Sequence, residues 1–215
     1  LKQQLNISAS NRKPFGTLLL LAAFLLAAAC APKPGQLVGG QAAQPSIPPL
    51  RTGDVVLRAG TGPYSRTLAN LNAQDKSWSH CGIVVVEDGY PFVYHSIGGE
   101  DNPDMRLRRD SASHFFAARY CKGMGIARYD STLADTARLA QIIRSYYNRR
   151  PLFDMQFDLM TDEKLYCSEF IYKVITEYTA DTAFIPTSAL QGKKYVGIDD
   201  LYLNPHARLV WKVLL

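Results

Sequence analysis

The sequence has no CxxC pair, no HExxH, no internal repeat, and only four histidines and four cysteines in 215 residues. The missing ligand spacings argue against a structural or catalytic metal, so neither a metal nor a cofactor is expected. Without a repeat, solenoid architectures are excluded. Charge of one sign is also scarce. Bases exceed acids by a formal +5, but Lys2, Arg12 and Lys13 lie in an acid-free stretch of 29 residues, beyond which 21 bases face 19 acids. That balance argues against a nucleic-acid partner. With 47% apolar side chains the chain can bury one good core and is short for two.

The first 29 residues have the pattern of an export signal: Arg12 and Lys13, an apolar run from Phe15 through Leu26, then three alanines before Cys30. The run is too short to cross a bilayer comfortably. Narrow side chains before Cys30 suit a peptidase that cuts there, so residues 1–29 are expected to be a signal peptide. LLAAAC resembles a bacterial lipobox. That resemblance implies lipid attachment at Cys30 and association with a membrane through that anchor. With Ala31 after the cysteine, it also implies an outer-membrane location facing the periplasm. A plain secretory signal with a soluble product is the alternative. Residues 31 to about 50 are rich in Pro, Gly, Gln and Ala and nearly free of charge. Residues 30–50 therefore read as a lipid-anchored cysteine with a flexible tether, and residues 51–215 as one folded domain, expected to be monomeric.

In that domain GDVVLR (53–58) reads as a strand. SHCGIVVVEDGYPFVYHSIGG (79–99) reads as a hairpin, because Asp88-Gly89 favours the left-handed dihedrals of a two-residue turn. Further strands are expected at 104–109, 117–121, 125–130 and 208–215, and together they predict an antiparallel sheet. From Ser131, with Asp130 or Ser131 as cap, Leu133, Ala137, Ala140, Ile143 and Tyr147 recur at helical spacing up to Pro151. Cys167, Phe170, Ile171, Val174 and Tyr178 mark a second helix, begun either near Asp162 or at Cys167 itself. The fold class is α+β.

The hairpin permits a geometric step. With Asp88 and Gly89 as the turn, Glu87 pairs with Tyr90, Gly82 faces His95, and His80 lies on the same sheet face as His95, diagonal to it. Two imidazoles thus become neighbours, although a single strand histidine is more often structural. Of the three cysteines left beyond Cys30, an odd number in an oxidising compartment implies a leftover thiol. Cys81 points away from His80 and could pair with Cys121. Cys167, near a helix start, gains thiolate character from exposed N–H groups and the helix dipole. Packing with Phe170 and Ile171 is its alternative role. Arg106, Arg108 and Arg109, like Arg149 and Arg150, read most simply as solvated or helix-terminal charge. Asp154, Asp158 and Asp162 read as loop-shaping caps.

GDVVLR, the SH-x-GI strand, VYHS, LYCSEFIYKVI and GIDDLYLNP resemble the circularly permuted papain-like amidases of the YaeF/YiiX type, relatives of the NlpC-type endopeptidases and lecithin retinol acyltransferases. The resemblance covers residues 51–215. It implies a permuted papain-like (NlpC-like) fold and a thiol hydrolase acting on an amide or ester. In it Cys167 is the nucleophile, His80 the base, and His95 the polar third member, with Glu169 as the rival for that place. The backbone N–H of Cys167, with Tyr64 or Tyr166, is the candidate oxyanion donor. A cell-wall peptide is the substrate expected by place and a lipid-like molecule the rival by kinship, which would make it a lipid acyl hydrolase or acyltransferase. The alternative from another class is a catalytically silent envelope lipoprotein that binds a ligand or partner.

Overall fold

A computed structural model describes residues 46–99, 102–190 and 192–215. The expected signal peptide, Cys30 and the tether up to residue 45 lie outside the described residues, which belong to a compact unit spanning Gln44–Leu215. The elements run β1 (Val55–Gly60), α1 (Ser65–Asn70), β2 (His80–Glu87), β3 (Tyr90–His95), β4 (Arg108–Ser111), α2 (Ala112–Phe115) and β5 (Cys121–Tyr129). They continue with α3 (Thr136–Arg149), β6 (Leu152–Phe153), β7 (Lys164–Leu165), α4 (Cys167–Thr179), β8 (Ser188–Leu190), β9 (Lys193–Tyr195) and β10 (Ala207–Leu214). Six strands form one sheet in the order β10-β5-β1-β2-β3-β4, every neighbouring pair antiparallel.

Both faces of this sheet are covered, which is why β1 is buried throughout, Arg58 included. On one face Val55, Leu57, Ile83 and Val85 pack under α3 and α4, against Leu139, Ile143, Phe170, Ile171 and Val174. On the other, Val56, Val84, Val93, Met124 and Ile126 pack under Phe115 and Phe116. Ile47 and Leu50 rest on this second cluster, so the expected tether ends earlier than residue 50. Its two apolar side chains find a surface to cover.

The hairpin turn is the two-residue one, with Asp88 at φ 48° and Gly89 at φ 82°, and Glu87 pairs with Tyr90 and Val84 with Val93. Elsewhere the local reading shifts. The strand expected at 104–109 begins only at Arg108. Residues 117–120 form turns rather than the first part of a strand, because Ser111 accepts a hydrogen bond from His114 N–H and turns the chain into α2. β5 runs from Cys121 to Tyr129, so it contains nearly all of the strand expected at 125–130 and only the last residue of the one expected at 117–121. The helix expected from Ser131 starts at Thr136, where Asp135 accepts from Arg138 N–H, and Ser131–Leu133 is a 3-10 turn. Its buried face is Leu139, Ala140, Ile142 and Ile143, leaving Ala137 exposed. The second helix starts at Cys167, not near Asp162.

Candidate active site

His80 opens β2 and His95 closes β3, so the diagonal between them lies at one end of the hairpin. His80 Nε2 and His95 Nδ1 are 2.9 Å apart, with both side chains buried. Gly82 makes this approach possible. A Cβ there would stand 2.4 Å from Val93 Cγ1 and 3.1 Å from His95 Cβ, on the face the imidazoles occupy. Gly82→Ala is therefore expected to lower stability by about 1–3 kcal/mol through overpacking. A urea melt of the variant beside wild type measures this, and an unchanged midpoint would show that the strand pair can spread at no cost.

The imidazole pair continues to a residue that sequence reasoning missed. His95 Nε2 lies 3.0 Å from Asp110 Oδ2, and Arg108 donates to Asp110 Oδ1 at 2.9 Å. His95 pairs with Arg108 across β3 and β4, so Asp110, two residues on, shares the face of His95. The parity rule that joined His80 to His95 would have found Asp110 had the pairing of β4 been readable. The Phe115 ring covers both imidazoles, at 5.5 Å and 5.2 Å between centroids, and Arg58 donates to the Phe115 carbonyl at 3.0 Å.

Burial, then the charges of Arg58 and His95, hold the His80 pKa well below the usual histidine value. Burial also lowers that of His95, although Asp110 opposes it. Both rings are therefore neutral at pH 7. The Asp110 carboxyl resists its own burial through His95 and Arg108 and is lowered to about 2.

Cys167 is the first residue of α4, where helix N–H groups lack partners within the helix. Its side chain shares a buried cluster with that of Cys81, close enough for the two thiols to shift one another. That proximity, together with the backbone N–H groups of Cys81 and Ser168, lowers the Cys167 pKa against burial, while burial raises that of Cys81. Cys81 and Cys167 share the helix-facing core, whereas Cys121 belongs to the cluster on the opposite face. A Cys81 to Cys121 disulfide, which the sequence left open, is ruled out by the sheet between them, and all three cysteines are free. Among the described residues His80 and Cys167 share no hydrogen bond. The thiol instead meets Cys81, the chain neighbour of His80.

The other candidates resolve as follows. Glu169 accepts from Tyr166 N–H at 3.1 Å and pairs with Lys173 at 3.2 Å, so it serves the helix start, and His95 is the polar side chain bonded to His80. Tyr166 is buried and its hydroxyl accepts from Val196 N–H, while Tyr64 is 75% exposed. Asp154 accepts from the N–H groups of Gln156 and Asp158, Asp158 accepts from that of Met160, and Asp162 pairs with Lys173. The arginines are not simply solvated: Arg108 serves Asp110 and Arg109 pairs with Glu87.

No family model and no curated protein matches this chain. Among solved structures it is similar to one described as the crystal structure of metalloprotein yiiX from Escherichia coli O157:H7, DUF1105. Identity is 17%, the match covers 77% of this chain and 98% of that one, and the TM-score is 0.62. Among the described residues no group of three or more His, Cys, Asp or Glu side chains is placed to hold a metal ion. The facing nitrogens of His80 and His95 are engaged with one another and with Asp110. At this identity the likeness is one of architecture: the chain shares the yiiX-type α+β fold, a large antiparallel sheet packed against helices.

Proposed function

We propose that this chain is a cysteine hydrolase of the permuted papain-like type, acting on an amide or ester at the cell envelope, to which Cys30 anchors it. The observation that carries this reading is the juxtaposition at one end of β2. Cys167, at a helix start with a lowered thiol pKa, meets Cys81 on the helix-facing side of that strand, and the adjacent His80, with His95 2.9 Å from it, faces the other side. In the reaction the Cys167 sulfur attacks the carbonyl carbon while His80 takes the thiol proton. The oxyanion of the tetrahedral intermediate is stabilised by the Cys167 backbone N–H. His80 then protonates the leaving amine or alcohol, and water, deprotonated by the same imidazole, cleaves the thioester. A cell-wall peptide is the substrate by place, and a lipid ester is the rival.

His80 and Cys167 are not hydrogen-bonded, and Cys167 is only 9% exposed. The hydrolase reading requires the Cys167 thiol to come round the end of β2 to the His80 face when substrate binds. The same two facts favour a second reading, a silent envelope protein whose thiol is a core side chain. Iodoacetamide labelling of the whole chain from about pH 5 to about pH 9, followed by intact mass and peptide mapping, separates them. The hydrolase reading expects one adduct on Cys167, forming below the ordinary thiol pKa of about 8.5 and absent in Cys167→Ser. If Cys167 reacts only after unfolding, the binding-protein reading replaces it.

A further inference from the structure

We infer that Asp110, held by Arg108, is a positioning residue that fixes the protons of the imidazole pair and keeps His80 Nδ1 bare as the base. The inference rests on the hydrolase reading and adds a fourth member to its site.

The placement of protons follows from who can donate. The Asp110 carboxylate is flanked by Arg108 at 2.9 Å, His95 at 3.0 Å and His114 at 3.9 Å. In that setting it is ionised and can only accept. His95 Nε2 therefore carries the hydrogen. In a neutral ring Nδ1 of His95 then holds a lone pair and accepts. The group 2.9 Å from it is His80 Nε2, which must be the donor. A neutral His80 with its proton on Nε2 has its lone pair on Nδ1, the nitrogen turned away from the relay. That lone pair is what a thiol proton needs.

A protonated Asp110 would reverse the whole chain of donors. It would donate to His95 Nε2, His95 Nδ1–H would donate to His80 Nε2, and His80 Nδ1 would already carry a proton. Arg108 and His95 oppose that state by favouring the carboxylate. The charged and titratable groups facing the imidazole pair are Arg58 from β1, Arg108 and Asp110 from β4 and His114 from α2, while Cys81 and Cys167 lie on the helix-facing side of the sheet.

The test is a long-range proton–nitrogen NMR correlation on the whole chain labelled with nitrogen-15 histidine, with the Cys167 alkylation rate measured on the same samples. In wild type near neutral pH the expected His80 tautomer is Nε2–H. A Nδ1–H tautomer there overturns the inference before any variant is made. Asp110→Asn can donate as well as accept, and is expected to move the His80 proton to Nδ1 and to slow Cys167 alkylation roughly 10²–10⁴-fold, the range in which a misplaced base proton acts. Asp110→Glu keeps a carboxylate and is expected to retain the wild-type tautomer. If Asp110→Asn leaves both tautomer and alkylation profile unchanged, the positioning role falls. A tautomer switch with unchanged alkylation supports the proton placement and overturns the hydrolase reading instead.

Discussion

Hydrolysis of p-nitrophenyl acetate by His80→Ala is expected to fall about 10²–10³-fold in kcat/KM, toward the lower end of what a general base contributes. The p-nitrophenolate leaving group needs no proton, so this substrate isolates the removal of the Cys167 proton from the later protonation of an amine. With an unactivated amide both steps use His80, and the loss is expected to reach about 10⁴-fold. His80 is held neutral by its buried site, beside Arg58 and His95. The acid limb of the wild-type rate is therefore expected below the ordinary histidine value of about 6.5. The alkaline side follows Cys167, whose thiol pKa is lowered by Cys81 and by backbone N–H groups. A steady-state rate profile of wild type and variant checks both. Equal rates in the two chains would remove His80 from the chemistry.

Stability is expected to pass through a maximum near pH 6.5, with different groups limiting it on each side. His80 and His95 have folded pKa values below the unfolded one. Above about pH 6.5 neither state binds their protons, and as pH falls through that value the unfolded chain takes up protons that the native state refuses. Each such histidine lowers stability by about 1.4 kcal/mol per pH unit. Glu169 acts with the opposite sign. Burial, opposed by Lys173 and by Tyr166 N–H, raises its folded pKa to about 8. The native state thus keeps a proton that the unfolded chain has lost above about pH 4.3, and stability declines as pH rises toward 8. Below pH 6.5 the two histidines outweigh the one glutamate while their native rings stay unprotonated, and stability falls. Urea midpoints across this range check the curve. Glu169→Gln is expected to flatten the alkaline side and steepen the acid side. If the variant keeps the wild-type curve, Glu169 is ionised in the native state and Lys173 holds it so.

Much of this site is local in the sequence and therefore legible there. The His80 and His95 neighbourhood follows from a two-residue turn and strict alternation, because Asp88-Gly89 favours that turn over a three-residue loop, which would reverse the parity, and Gly82 leaves the gap. The start of α4 was one of two readings, since both Asp162 and Tyr166 precede an apolar face of the same period. The fold decided it, as Glu169 reaches back to Tyr166 N–H. Asp110 was not legible at all. Twelve residues separate His95 from Arg108, and their path determines which residue of β4 meets the imidazole. Likewise, strand parity placed Cys81 opposite His80 but could not show that Cys167 would dock on the Cys81 side.

The sequence by itself determined the α+β class, the hairpin register, the shared face of the two imidazoles, and Cys167 as the thiol near a helix start. These depend on turn chemistry, a period of two and a period of 3.6, all set within a few residues. Only the tertiary structure decided that both sheet faces are covered, that Asp110 and Arg108 complete the relay, and that Cys167 contacts Cys81. Those outcomes depend on which distant segments lie beside one another, and that is settled by packing around the whole sheet rather than by any short pattern.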